Sequence, residues 1–164
     1  MPSRLSIIHS KWHHHFHDLQ FSTQEFYSLV EIKLKEEDIK GVHLERISYS
    51  EGSIFSSKRE YLRVSRKELI FDICAAPFGK GFFVSWWHGE SVGFIKDLLA
   101  KIPVIGPIIV KVSSIKTFYQ MDTEQMFKEV VKSCVQSALE EITSSKGVKG
   151  LSELERMDNS YSNK

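Results

Sequence analysis

Five of the chain's seven histidines fall in "HSKWHHHFH", from His9 to His17. In a helix His9, His13 and His17 would share a face; in a strand His13, His15 and His17 would. A helical pair four residues apart can bind zinc, which makes His13 and His17 the metal candidates. All three helical histidines cannot hold one ion, because His9 and His17 would lie about 12 Å apart at about 1.5 Å per residue. No glutamate follows the first histidine of a pair in the HExxH manner, and no cysteine lies nearby. Ile8, Trp12, Phe16 and Leu19 form an apolar helical stripe that accounts for the segment without metal. The histidines therefore read as structural or surface groups, and no cofactor is expected.

Two further sets could do chemistry. Asp72 with Glu60 and Lys80 resembles the carboxylates and lysine that position Mg²⁺ and water in metal-dependent nucleases. The compact carboxylate-x-lysine pairing is missing, since Ile73 and Cys74 follow Asp72. "CAAPFGKGFF" lacks the full phosphate-loop pattern and reads as a rigid turn. Cys74 and Cys134 lie inside apolar patterns, where a thiol behaves as a small apolar residue rather than a nucleophile. The chain reads as non-enzymatic. The competing expectation is a small metal-dependent phosphodiester-cleaving enzyme using Asp72, Glu60 and the N-terminal histidines.

A contact surface is the stronger expectation. "VGFIKDLLAKIPVIGPIIVKV", residues 92–112, is the most apolar stretch, yet it carries Lys96, Asp97, Lys101 and Lys111 and is broken by Pro103 and Pro107. A spanning helix needs about 20 mainly apolar residues. Here Asp97 and Lys101 would sit inside the bilayer at roughly 2.5–3.5 kcal/mol each, so the stretch does not read as a transmembrane helix. Its first half reads as an amphipathic helix with Val92, Ile95, Leu98, Leu99 and Ile102 on one face; "PVIGP" then turns the chain. Packing of this stretch into the core is the plainer reading. The sharper one is docking through Ile95, Leu98, Leu99, Ile102, Ile105, Ile108 and Ile109. Lys58, Arg59, Arg63, Arg66 and Lys67 supply a basic hairpin beside it, with Arg59, Tyr61 and Arg63 alternating onto one strand face. Apolar insertion plus basic attraction is the two-signal pattern of peripheral membrane binding.

The elements that must carry these residues follow from periodicity. "STQE" is a capping box opening a helix over 23–39, with Phe26, Val30 and Leu34 facing the core. "VHLERISY", "EYLRV", "ELIFDICA" and "FFVSWW" read as strands on short connections, hence an antiparallel meander. Leu62 and Val64, then Leu69, Phe71 and Ile73, then Phe82, Val84 and Trp86 each mark one strand face. "SIKTFYQM" reads as another strand, and Asp122 as the N-cap of a long helix presenting Phe127, Val130, Val131, Cys134, Ala138, Leu139 and Ile142 up to Gly147. The expected fold class is α+β: an N-terminal helix, an antiparallel meander of about four to five strands, an apolar helix-turn segment, and a long C-terminal helix on the sheet. One domain spans 1–150, with 1–21 as its aromatic, histidine-rich start and 151–164 as a polar, frayed tail.

The bulk numbers agree with a single globular unit. The chain has 164 residues, 41% hydrophobic and 26% charged, with 22 basic against 21 acidic residues. A formal charge of +1 supplies no global field for nucleic acid. Two cysteines make no disulfide framework, and the N-terminus has no signal-peptide core, so a cytoplasmic setting is expected, peripheral to a membrane where a membrane is the partner. The expected function is an interaction module that docks on a protein partner or an anionic membrane surface. Self-association as a homo-oligomer, or a place as a structural subunit of a larger assembly, is the third reading.

Overall fold

The computed structural model describes residues 7–50, 58–91 and 116–160. Strand β1, Ile7–Phe16, is followed by helix α1, Thr23–Glu36, and then by four strands: β2, His43–Ser50; β3, Lys58–Arg66; β4, Leu69–Phe78; β5, Gly81–Glu90. Helix α2, Phe118–Lys146, and a two-residue strand β6, Asn159–Ser160, complete the order. The strands form one antiparallel sheet in the order β2-β3-β4-β5-β1-β6. The fold is α+β, with a meander of consecutive strands as periodicity predicts. Residues 92–112, the expected apolar helix-turn segment, lie outside the described residues.

Alternation decides which side of the sheet the helices cover. Leu62 and Val64 on β3, Leu69, Phe71, Ile73 and Ala75 on β4, and Phe82, Val84 and Trp86 on β5 all join one core. The helices close it with Phe26, Tyr27, Val30 and Leu34 from α1 and with Phe127, Val131, Cys134, Val135, Ala138, Leu139 and Ile142 from α2. Burial of each large side chain is worth about 1.5–3 kcal/mol. Tyr27 also ties α1 to the sheet, donating from its hydroxyl to the Glu60 carbonyl at 2.9 Å and accepting from the Ala75 amide at 2.9 Å.

The histidine-rich start is a strand, not the helix suggested by its stripe. Apolar residues at 8, 12 and 16 satisfy a four-residue helical repeat and a two-residue strand repeat equally. What separates them is a long-range partner: Trp12 pairs with Trp86 across β1 and β5, their rings stacked 4.3 Å apart. The expected strand over 114–121 differs too where it is described, from residue 116 onward. Thr117, not Asp122, caps α2: its hydroxyl accepts from the Gln120 amide while the Gln120 side chain accepts from the Thr117 amide. The "TFYQ" capping box was therefore present in the sequence. Phe118 and Tyr119 are 83% and 79% exposed, so the opening turn has no apolar face to betray it.

Helix α1 stops at Glu36 rather than 39, and Asp38 and Gly41 then take positive φ. Gly147 ends α2 in the left-handed region, φ 66°, which glycine adopts without a Cβ clash. The expected frayed tail is tied down through residue 159. Leu151 is buried, Trp12 Nε1 donates to the Glu155 carbonyl, and Asp158 pairs with Lys128 at 2.9 Å.

Candidate functional site

A concentrated set of charges sits where β5 ends and α2 begins. Phe82, Val84, Trp86, His88 and Glu90 all point to the helix-covered side of β5, and the last two replace apolar residues there. Glu124 does the same on α2, one helical turn before Phe127. His9 comes from β1, and its presence needs explanation: strict alternation would turn it away from the side that holds Ser10's neighbour Trp12 only if the strand were regular. The register slips between Ile8 and Ser10, so that Ile8 faces Gly89, Ser10 faces His88, and His9 is the extra residue. A bulge of this kind re-aims a side chain. It delivers the His9 imidazole to Glu90.

The contacts are close. His9 Nε2 lies 3.1 Å from Glu90 Oε1 and 3.5 Å from Glu124 Oε1. Lys116 Nζ donates to Glu90 Oε1 and, at 2.5 Å, to Glu124 Oε2. One ligand atom each from His9, Glu90 and Glu124 falls within 4.8 Å of the others. The carboxylates are largely withdrawn from solvent, with 8% and 11% of their side-chain surface exposed. The hydrogen bond from His9, against the opposing effect of burial and with help from Lys116, holds the Glu90 carboxyl down to about 2. Burial pulls the Lys116 ammonium down, but its bonds to Glu124 and Glu90 outweigh that and leave it raised.

His88 stands one ring beyond His9, the centroids 5.7 Å apart. It is fully buried, and among the described residues neither ring nitrogen has a hydrogen-bond partner. Phe71 and Phe127 flank it at 5.7 and 6.2 Å. Burial, reinforced by His9, Lys128 and Lys116, pushes its titration down to about 3, so the ring is neutral. A buried polar group left unsatisfied costs about 1–3 kcal/mol. A plain core would place an apolar residue here.

Compared with protein-family models, curated proteins and solved structures, the chain matches none.

The other candidates fall elsewhere. His13 and His17 are exposed, His13 on the side of β1 away from the helices and His17 in the turn after it; His13 stacks near Phe83, and His17 meets His15 edge-on. The histidine that reaches a ligand cluster is His9. Asp72 and Glu60 lie on opposite faces of the sheet. Asp72 takes a two-pronged bond from Arg63, Nε to Oδ1 and Nη2 to Oδ2, each 2.7 Å. Glu60 accepts from Gln24 at 2.9 Å beside α1. The two carboxylates cannot share one ion. Of the basic hairpin, Lys58, Arg59 and Lys67 are exposed, Arg66 donates to the Lys40 carbonyl, and Arg63 is buried. Burial pushes both thiols up, Cys134 to about 11, which leaves them protonated and unreactive. Ile95, Leu98, Leu99, Ile102, Ile105, Ile108 and Ile109 lie outside the described residues.

Residue type alone did not reveal His9, Glu90 and Glu124, because they come from three elements far apart in sequence. The usable signal was polarity interrupting an apolar face: His88 and Glu90 after Phe82, Val84 and Trp86.

Proposed function

We propose that the protein is a non-enzymatic interaction module that docks on a protein partner through residues 92–112. One observation carries this reading. The bond between Lys116 and Glu90 brings the two ends of the stretch 91–116 to a single place on the sheet and α2. The described chain thus leaves at Ser91 and resumes at Lys116 beside one charged base, with the most apolar stretch of the sequence between them. A protein partner is favoured over an anionic membrane because Arg63, central to the basic hairpin, is spent on Asp72. The electrostatic half of a two-signal membrane anchor is correspondingly thinner. Among the described residues no helix is long and apolar enough to cross a membrane.

The two native cysteines make a direct test, because both are buried. An Ile105→Cys variant treated with a maleimide under native conditions should label at the introduced thiol while Cys74 and Cys134 stay unmodified. Protection of position 105 until the protein unfolds would overturn the docking reading. Adding vesicles of phosphatidylcholine and phosphatidylserine assigns the partner class. Unchanged labelling is expected for a protein-docking surface; protection by vesicles would overturn that assignment and give the surface to a membrane.

A further inference from the structure

We infer that His9, Glu90 and Glu124 form a binding site for a single Zn²⁺ ion, with Lys116 as the cation that holds the place when the metal is absent. The inference does not depend on the docking reading. A Zn²⁺ ion takes nitrogen and oxygen ligands at about 2.0–2.2 Å, so neighbouring ligand atoms of a tetrahedral site stand about 3.4 Å apart. Two edges already have that size: 3.1 Å from His9 Nε2 to Glu90 Oε1, and 3.5 Å from His9 Nε2 to Glu124 Oε1. One imidazole and two carboxylates suit zinc better than Mg²⁺ or Ca²⁺, which favour oxygen alone.

The position of Lys116 fits a competitor rather than a permanent partner. Its ammonium shares Glu90 Oε1 with His9, but on Glu124 it uses Oε2, not the Oε1 that faces His9. An ion entering among the three ligand atoms displaces the lysine from Glu90 and leaves Glu124 Oε2 for it. His88 is the second, independent observation. It is fully buried, polar and without a hydrogen-bond partner among the described residues, on the same side of β5 as Glu90 and against the His9 ring. Three protein ligands leave the fourth position of the ion to water. The bulge at His9 has the same logic: it spends sheet regularity to put an imidazole among two carboxylates.

The test is Zn²⁺ titration of the purified full chain after chelator treatment, followed by calorimetry and, with Co²⁺ in place of zinc, by visible absorption. Wild type should bind one equivalent and show the strong absorption of tetrahedral Co²⁺. His9→Ala and Glu124→Gln should each weaken binding by more than about 100-fold, since even outer partners of a metal ligand are worth 10–100-fold. Lys116→Met should tighten it roughly tenfold by removing the competing charge. His13→Ala/His17→Ala should bind as wild type does. Equal affinity in wild type, His9→Ala and Glu124→Gln would overturn the site, as would loss of binding in His13→Ala/His17→Ala or weaker binding in Lys116→Met. Far-ultraviolet circular dichroism on every variant separates lost ligands from lost fold. Should Glu124→Gln unfold, His9→Ala and Lys116→Met still decide the matter.

Discussion

Arg63 and Asp72 are 3% and 5% exposed in their side chains, and their pairing is completed by the Tyr49 hydroxyl, which accepts from Arg63 Nη2 at 2.5 Å. Removing one member of such a pair strands the other in low dielectric. Asp72→Ala is therefore expected to cost about 3–5 kcal/mol in urea unfolding, while Asp72→Leu combined with Arg63→Met recovers most of it. The site has its own signature in acid. His88 titrates near 3 in the fold against 6.5 for the free side chain, and Glu90 near 2 against 4.5. Both folded values lie below the unfolded ones, so the unfolded chain binds more protons across each window. Stability is present above those unfolded values and falls as the pH drops from about 6.5 towards 3 for His88, and from about 4.5 towards 2 for Glu90. In chelator-treated protein, His88→Phe should remove the upper part of this decline, read from urea midpoints at successive pH values. It should also raise stability at neutral pH, because Phe71 and Phe127 already make an apolar niche. Little of this was legible beforehand. The sequence shows that Arg63 is basic and Asp72 acidic, but only the register that places them opposite each other on β3 and β4 turns two surface candidates into a buried pair.

Strand β1 is the element that most shapes the site, and Gly89 lets it approach. A Cβ on Gly89 would lie 1.9 Å from the Ile7 carbonyl oxygen, a backbone atom that cannot swing aside. Gly89→Ala should cost about 1–3 kcal/mol as an overpacking change and should shift the bulge that aims His9. At the far side of the cluster, Thr117→Ala removes the hydroxyl that caps α2 and should cost about 0.5–2 kcal/mol, measured by thermal unfolding. The strands of the meander and the apolar face of α2 were readable because alternation and helical spacing are local properties of the chain. The bulge was not, since one residue of slip between Ile8 and Ser10 is defined only against β5. Nor was the identity of β1, whose spacing fits both periods until Trp86 supplies the partner.

At the scale of the molecule, helices cover one side of the sheet, while Ile70, Asp72 and Cys74 on its other side are buried as well. The fold class follows from local patterns, and the order β2-β3-β4-β5-β1-β6 adds the docking of β1 against β5 and of β6 against β1. Function is less legible, because a contact surface is defined by what it meets and a metal site by residues that the fold alone assembles. The measurement that bears most directly on the docking account is the urea unfolding midpoint of Ile105→Asp/Ile109→Asp beside that of wild type. The account predicts coincident curves, within about 0.5 kcal/mol, as expected of substitutions on an exposed surface. A loss of several kcal/mol would place these isoleucines inside the protein's own core and contradict it.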